Sequence, residues 1–460
     1  MKSVAAWSFS RYLPPLSNGG DIYINRLVPS LTAVHAEWTP AGETELFLCK
    51  KGETPVSYGF FDGEADIDGL ELDTDYELYA VRGDKKSLVR LFRTGEAVGT
   101  VVNYLHPDDP LYAFSGRYLC SPSMIRTPDG RLLASMDLYE QRAPQNLTLI
   151  FESRDDGKTW HHLTELMPCF WGKLFVHRRE VYMLACSTEY GDLLIGKSTD
   201  GGKTWGTPSV LLRGSGRPEV AGVHKAPQPP LAYGGRIWEA LEWGAWGAGG
   251  HAAMVMSADE NSDLLDPASW VFSEPLPYDP SWPGTAKPTE KGGSTGCIEG
   301  TLTVDVAGKL VNVMRYEIHN CEPNYGLAIV YRVDTEHPEN PLVFERTMAF
   351  DGNHSKFTVT RDPVSGRWYS IASRVTCPRD RWVRNLLSLM VSDDLVTWRV
   401  AKDLYDYRDL ERTKTGFQYV DFFIEGDDIL YLCRTALNGA HSYHDANYST
   451  FHRIEKFREL

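Results

Sequence analysis

The sequence predicts an all-β protein: a six-bladed β-propeller preceded by a small β-sandwich. One eight-residue pattern, Ser-x-Asp-x-Gly-x-Thr-Trp, spans residues 153–160 and returns at residues 198–205, and a shortened copy spans residues 392–398. A stretched copy begins at Ser257 and reaches Trp270. Repetition at intervals of about 45 to 60 residues is typical of propeller blades. Before residue 98 the chain instead shows short apolar runs between Gly, Asp and Pro turns, which predict a separate β domain.

The repeated pattern has the composition of a tight hairpin turn. Its Asp and Gly residues suit a short polar loop, and its Trp can pack back over that loop. The segment 147–151, just before the first copy, is an apolar run of the kind that forms a strand. We therefore expect the copies to be structural rather than catalytic.

Six hairpins follow residue 98, each with two apolar strands around a turn that usually contains Gly. They span residues 124–137, 173–186, 228–243, 301–316, 357–374 and 421–434. After the fourth hairpin, segments 327–333 and 342–348 flank a longer connection. The last blade takes its third strand from residues 448–457, and residues 100–104 can supply its fourth, which closes the ring and protects its edges. The segment 277–296, rich in Pro, Gly, Ser and Thr, predicts a long loop near the mouth or a disordered insert.

The first 97 residues predict the sandwich. Segments 32–38, 45–49, 76–82 and 88–93 are strand candidates separated by turn residues. The stretch 70–79, LELDTDYELY, resembles the late-strand corner of fibronectin type III modules. That resemblance implies that the Tyr76 hydroxyl ties the corner to nearby backbone. The alternative is any other β-sandwich with Tyr76 simply in its core.

Composition narrows the function classes. The net charge of −15 argues against nucleic-acid and anionic-membrane partners, while leaving an anionic small substrate open. None of the eight Cys forms a Cys-x-x-Cys pair, so we expect buried free thiols and no zinc. No metal-ligand constellation is visible elsewhere in the sequence, and we expect neither a metal nor a cofactor. No apolar run is long enough to span a membrane, and no signal peptide is visible, which predicts a cytoplasmic protein or one without its leader.

Geometry selects one face of the propeller. In an antiparallel hairpin the start of the first strand and the end of the second lie at the same end of the blade, and the repeated turn pattern lies at the other end. The first-strand starts are Cys120, Ser121, Trp171, Lys173, His224, Lys225, Glu299, His354, Lys356, Gln418, Tyr419 and Asp421. The second-strand ends are Asp137, Glu140, Cys186, Glu189, Glu242, Arg315, Arg374 and Arg434. Charges beside buried apolar runs are costly unless they are paired or functional, so this face predicts the binding funnel.

Three arginines on this face, Arg315, Arg374 and Arg434, end the second strands of successive blades. If they converge, they can hold a carboxylate through bidentate bonds; the alternative is that each pairs with a carboxylate of its own face. Arg384 is a weaker candidate. The remaining expected substrate contacts are Lys173, Lys225, Lys356, Trp171, Gln418 and Asp421.

The repeated pattern matches the Asp box, and the chain resembles the sialidase-like β-propellers of carbohydrate-active enzymes. Glu299 precedes Arg315 across a Gly turn, and Tyr419-Val420-Asp421 begins a strand, as in that family. The resemblance implies that Tyr419 is the nucleophile and Glu299 the base that takes its proton. A Tyr with a pKa near 10 needs such help at neutral pH.

The first blade departs from the family. Cys120-Ser121-Pro122 stands where the family has Arg-Ile-Pro, and Gln145-Asn146 stands where its acidic Asp is expected. The architecture is retained, and these departures predict a different substrate.

Three functions remain open from the sequence. The first is an exo-acting glycoside hydrolase for an oligosaccharide or polysaccharide with a uronate or another acidic sugar. The second is a lyase that acts by β-elimination beside a uronate, with His224 or His354 as base or acid; the layout also resembles propeller-fold lyases that remove rhamnose from glucuronate. The third is a non-catalytic glycan-binding propeller.

Overall fold

The structure, a computed structural model, describes residues 21–289, 294–377 and 382–460. Within these residues the chain forms antiparallel sheets and three short 3-10 turns, at Trp246–Ala248, Pro267–Ser269 and Phe457–Glu459. The all-β prediction, a propeller preceded by a small β-sandwich, is confirmed. Among the described residues no helix has the length and apolar character needed to cross a bilayer.

Two sheets form the sandwich. The first has the order β1-β2-β5, with β1 at Tyr23–Pro29, β2 at Val34–Thr39 and β5 at Glu64–Ile67. The second has the order β4-β3-β6-β7 with β8 on β6, and its strands are β3 (Glu43–Lys50), β4 (Val56–Asp62), β6 (Asp75–Arg82), β7 (Lys85–Lys86) and β8 (Arg90–Arg93). The predicted segments correspond to β2, β3, β6 and β8, whereas β1, β4, β5 and the two-residue β7 were not predicted. The predicted start of the sandwich, residue 1, lies outside the described residues.

The Tyr76 hydroxyl is bonded to nearby backbone. The Glu71 amide donates to the Tyr76 hydroxyl at 2.9 Å, and the Tyr76 ring is buried against Phe92. The hydroxyl therefore satisfies a backbone donor at the turn that enters β6.

Within the described residues six larger sheets follow the sandwich, and we number them as blades 1 to 6. Blades 1 and 2 contain β10 (Tyr118–Arg126), β11 (Leu132–Tyr139), β12 (Thr148–Ser153), β13 (His161–Leu166), β14 (Phe170–His177), β15 (Glu180–Cys186), β16 (Leu193–Ser198) and β17 (Ser209–Leu212). Blades 3 and 4 contain β18 (Gly222–His224), β19 (Leu231–Tyr233), β20 (Arg236–Ala245), β21 (Gly250–Asp259), β22 (Trp270–Phe272), β24 (Ser294–Val304), β25 (Leu310–His319), β27 (Leu327–Arg332) and β28 (Val343–Ala349). A two-stranded ribbon beside them pairs β23 (Lys287–Pro288) with β26 (Cys321–Glu322). Blades 5 and 6 contain β29 (Thr360–Arg361), β30 (Trp368–Ser373), β31 (Leu386–Ser392), β32 (Arg399–Asp406), β33 (Gly416–Glu425), β34 (Asp428–Ala436), β35 (Tyr448–Ile454) and, from the other end of the chain, β9 (Thr100–Tyr104).

The ring closes through blade 6. Strand β9 pairs antiparallel with β35, so the segment that leaves the sandwich supplies the last strand of the last blade. The innermost strand of blade 1, β10, contacts both β33 of blade 6 and β14 of blade 2. Blade 6 therefore combines strands from both ends of the propeller sequence, which is how a propeller ring is commonly closed.

The repeated turn pattern joins the third and fourth strands of its blades. In the first copy Asp155 accepts from the Thr159 amide at 2.9 Å and from the Thr159 hydroxyl at 2.6 Å. The indole of Trp160 donates to the Gly157 carbonyl at 3.2 Å. The second copy repeats these bonds with Asp200, Thr204 and Trp205. Both copies therefore stabilise turns, and these turns lie at the opposite end of the blades from the first-strand starts.

Two sequence predictions need correction. The first strand of blade 5 is only the two-residue β29, so the predicted strand start at residue 357 lies in irregular chain. The predicted loop at 277–296 includes β23 and the beginning of β24, and its residues 290–293 lie outside the described part of the chain.

Candidate functional site

Four blades share one backbone irregularity at the predicted face. In β10, β14, β24 and β33 the strand register shifts at the same place along the innermost strand. A residue with positive φ lies in each shift: Ser121 at 48°, Trp171 at 51°, Glu299 at 58° and Tyr419 at 56°. Bulges of this kind redirect a side chain, and bulky residues avoid this region unless the surroundings hold them there. The four blades therefore present equivalent positions at one end of the ring.

Tyr419, Glu299 and Arg315 form one hydrogen-bonded unit. The Tyr419 hydroxyl donates to Glu299 Oε1 at 2.6 Å. Arg315 Nη1 donates to Glu299 Oε2 at 2.7 Å and to the Tyr419 oxygen at 3.1 Å. Glu299 and Arg315 are buried, whereas Tyr419 is half-buried and so remains accessible. Glu299 and Arg315 come from neighbouring strands of blade 4, and Tyr419 comes from blade 6.

The protonation states suit a hydroxyl and its base. Burial alone would raise the pKa of Glu299. The charge of Arg315 and the hydrogen bond from Tyr419 outweigh burial and hold this pKa below its ordinary value. Burial and the adjacent Glu299 carboxylate raise the pKa of Tyr419, against the nearby arginines. The pair therefore consists of an ionised Glu299 carboxylate that accepts a hydrogen bond from the neutral Tyr419 phenol.

Two buried guanidinium groups lie over the Tyr419 ring without an anionic partner. The Arg384 and Arg434 guanidinium carbons are 5.7 and 5.1 Å from the ring centroid. Arg384 donates to Gln418 Oε1 and to the His354 carbonyl, and Arg434 donates to the His444 carbonyl. No carboxylate of the described chain lies within ion-pair distance of either one. Buried charge without a counter-charge is costly, so this arrangement favours binding of an anion.

The predicted convergence of Arg315, Arg374 and Arg434 is wrong in one member. Arg374 follows the end of β30 and pairs instead with Asp403 at 3.1 Å and Asp351 at 3.8 Å. Arg384 takes its place because an isolated bridge to Gly416 brings the start of the third strand of blade 5 beside β33. The sequence-based prediction considered only the starts of first strands and the ends of second strands. Arg384 precedes a third strand, so it was predicted only as a weaker candidate.

The lysines predicted to bind substrate are instead buried between neighbouring blades. Lys173 pairs with Asp421, which also accepts from the Met124 amide at 2.7 Å and so joins blades 1, 2 and 6. Lys225 donates to the Trp171 and Ala226 carbonyls, and Lys356 donates to the Val420 carbonyl. These groups hold neighbouring blades together, which corrects the expectation that they and Asp421 point at substrate.

A histidine and carboxylate pair adjoins the Tyr419 unit. His224 Nδ1 and Glu242 Oε2 are 2.5 Å apart, and Glu242 Oε1 accepts from the Gly300 amide at 3.1 Å. The Trp171 ring packs edge-on to His224 with centroids 4.3 Å apart. Because Gly300 follows Glu299, this contact places His224 and Trp171 at the same mouth as the predicted base.

The other predicted residues support this cluster. Gln418 accepts from Arg384 and donates to the Tyr443 carbonyl, so it holds a guanidinium rather than facing outward. His354 Nε2 contacts the Asn324 carbonyl at 3.0 Å, and burial lowers the pKa of His354 to about 4. His354 is therefore neutral at physiological pH and oriented by backbone.

Size does not identify this site. A cavity of about 750 Å³ lies elsewhere, lined by residues such as Lys402, Tyr405 and His452, and the carboxylate and arginine cluster takes no part in its wall. The chemistry described above, rather than cavity volume, selects the candidate site. Among the described residues no group of three or more His, Cys, Asp and Glu could hold a metal ion.

Comparison with known proteins gives similarity at the level of structure. No family model matches the chain. No curated protein matches it either. The α-L-arabinanase of Penicillium chrysogenum, solved with arabinobiose, superposes with a TM-score of 0.51 at 14% identity, over 79% of this chain and 99% of that one. A protein of unknown function from Dyadobacter fermentans gives 0.50 at 14% identity, over 78% and 98%. The leech intramolecular trans-sialidase gives 0.49 at 9% identity, over 94% of both chains. At these identities the likeness shows the propeller fold alone.

Proposed function

We propose that this protein is an exo-acting glycoside hydrolase that removes a terminal acidic sugar from a glycan. One observation supports this above all: Arg384 and Arg434 are buried over the Tyr419 ring, and no carboxylate in the described part of the chain pairs with either one. A sugar carboxylate bound there receives charge-assisted bonds and compensates both guanidinium groups. The arabinanase with the same fold was solved with arabinobiose, which agrees with a sugar ligand.

In the proposed reaction Tyr419 is the nucleophile. Its oxygen attacks the anomeric carbon while its proton passes to Glu299, which is 2.6 Å away. Arg315 donates to Glu299 Oε2 and to the Tyr419 oxygen, and it stabilises the charge that develops on the phenolic oxygen. Water then releases the sugar from Tyr419, and Glu299 returns the proton to the phenolate.

The His224–Glu242 contact supports a second candidate, a uronate lyase. A histidine held by a carboxylate can take the proton next to a uronate carboxylate, and Tyr419 can protonate the leaving oxygen. In this reaction the same arginines bind the uronate carboxylate.

We also propose that residues 21–97 are a fibronectin type III-like module. The two sheets and the Tyr76–Glu71 corner support this assignment.

One assay separates the functions. The protein is incubated with oligosaccharides that end in a uronate or a sialate, and absorbance near 235 nm is followed together with reducing sugar. We expect reducing sugar without the unsaturated chromophore. The chromophore would instead establish the lyase, and binding without either signal would establish a glycan-binding propeller.

The variant Glu299→Gln tests the base. It should fold normally and lose turnover by about 10²- to 10⁴-fold, the usual contribution of a positioned base. Circular dichroism checks the fold, and full activity in this variant would remove Glu299 from the mechanism.

A further inference from the structure

The proposed hydrolysis leaves one catalytic role unfilled. When the Tyr419 oxygen attacks, the bond to the leaving sugar breaks and its oxygen needs a proton. Glu299 is already the acceptor of the Tyr419 proton, so a different acid must supply this one. The inference below rests on the proposed function.

Most carboxyl groups around the site are already bound to other groups of the protein and are not free to donate a proton. Glu317 pairs with Arg315; although burial alone would raise it, that charge holds the pKa of Glu317 at about 2, so it stays ionised. Glu242 is bound by His224 and the Gly300 amide. Asp137 has no exposed surface and accepts from the Thr148 hydroxyl and the Gly172 amide, so it does not reach substrate.

Glu189 differs from all of these. It is half-buried and lies in the loop between β15 and β16, at the same end of blade 2 as Trp171. The Glu189 carboxylate is bonded to a neutral side chain, because Gln145 Nε2 donates to Glu189 Oε2 at 3.3 Å. No Arg or Lys of the described chain pairs with it. Burial raises its pKa above the ordinary value, against the opposing effects of His224 and Gln145.

The loop holds Glu189 in place. The Ser187 amide donates to the Asp192 carbonyl at 2.8 Å, and the Asp192 amide donates to the Ser187 hydroxyl at 3.0 Å. The next residue, Tyr190, is buried and has a φ of 59°, and its ring packs edge-on against Trp171 with centroids 6.0 Å apart. Glu189 therefore projects from a fixed turn beside the aromatic wall that also packs on His224.

We propose that Glu189 is the general acid that protonates the leaving oxygen, with Gln145 as its positioning residue. In the first step the Glu189 proton goes to the glycosidic oxygen as the bond to the anomeric carbon breaks and the bond to Tyr419 forms. In the second step the Glu189 carboxylate takes a proton from the attacking water, which restores the acid. The acid thus comes from blade 2, while Gln145 of blade 1 contributes only its amide.

The test uses Glu189→Gln in the full chain with two kinds of substrate. One is an acidic oligosaccharide that the wild type cleaves, and the other is the 4-methylumbelliferyl glycoside of the same sugar, whose leaving group needs no proton. We expect kcat/KM to fall about 10²- to 10⁴-fold for the oligosaccharide and less than 10-fold for the aryl glycoside. The fall in wild-type kcat/KM at high pH should also disappear.

The matched control is Glu180→Gln, which removes a half-buried carboxylate at the other end of blade 2, beside the turn between β14 and β15. It should leave both substrates within twofold of wild type. Equal losses on both substrates in Glu189→Gln would overturn the acid role, as would a loss that depends on the leaving group in His224→Gln but not in Glu189→Gln. A wild type that cleaves none of the acidic glycans would reject the proposed function, and the acid role with it.

Discussion

Tyr419 combines a backbone conformation that bulky residues avoid with contacts to three arginines. Its positive φ costs about 1–3 kcal/mol, and the surrounding network must hold it there. Glu299 has the same conformation at the equivalent place in blade 4, and the two side chains meet at 2.6 Å. Strain at both members of one hydrogen bond agrees with a site arranged for chemistry rather than for stability.

The neighbouring residues Arg384 and Arg374 should separate binding from bystander charge. Arg384→Met removes a buried guanidinium for which the described residues supply no carboxylate partner, so KM for an acidic substrate should rise about 10- to 100-fold, as expected for loss of a charged hydrogen bond. The methyl ester of the same substrate should be affected little. Arg374→Met is the matched control, because Arg374 pairs with Asp403 and Asp351. Equal effects of the two variants on KM would contradict the assignment of Arg384.

At the scale of elements, each repeated turn is built by its own residues. Asp155 binds the backbone and the hydroxyl of Thr159, and Trp160 covers the turn. The same bonds recur at Asp200 and, in shortened form, at Asp394. Because all partners lie within eight residues, the turn forms in the same way wherever the pattern occurs.

The acid stability of the protein should report on these turns. Although burial alone would raise it, the hydrogen bonds from Thr159 lower the pKa of Asp155 to about 2, against about 3.9 for an unfolded Asp. The depressed pKa gives stability that is present above about pH 4 and is lost as pH falls towards about 2. Asp155→Asn should therefore lower Tm at neutral pH and narrow its gap to wild type at pH 2.5. Thermal melts at both pH values measure this, with exposed Lys158→Gln as control. An unchanged gap would show that Asp155 gives no pH-dependent stability.

At the scale of the whole molecule, the sandwich is joined to the propeller by buried polar contacts. Arg90 of β8 pairs with Asp109 at 2.7 Å, and both side chains are buried. Arg26 of β1 donates to the Val101 and Val102 carbonyls of β9. The strand that closes the ring is therefore held from both sides, by β35 and by the sandwich.

Adjacent aspartates offer a matched test of this junction. Asp109→Asn leaves the Arg90 charge buried and uncompensated, which should cost about 3–5 kcal/mol of unfolding free energy. Asp108→Asn removes only the exposed pair with Lys51 and should cost less than about 1 kcal/mol. Urea denaturation measures both. Similar midpoints for the two variants would show that the buried pair does not stabilise the junction.

Much of the fold could be predicted from sequence because its signals are local. The turn patterns, the hairpins and the pairing of residues 100–104 with the last blade all follow from apolar alternation and turn residues. Strands β4 and β5 were missed because β4 exposes apolar residues such as Val56 and Phe60, and β5 has only four residues. The site was predicted less completely, because which arginine meets Tyr419 depends on neighbouring blades.

The sequence by itself determined the propeller and its preceding β domain, because their signals lie in turns and apolar alternation along single hairpins. It also placed Glu299, Arg315 and Tyr419 on one face, and the resemblance to sialidase-like propellers implied that Glu299 and Tyr419 act together. Only the tertiary structure decided that Arg384 rather than Arg374 faces Tyr419, that Lys173 and Asp421 neutralise each other, and that Glu189 contacts Gln145. The physical reason is that charge pairing is a property of distance in space. A residue from one blade finds its partner on another, and the chain between them carries no sign of which charge will remain unpaired.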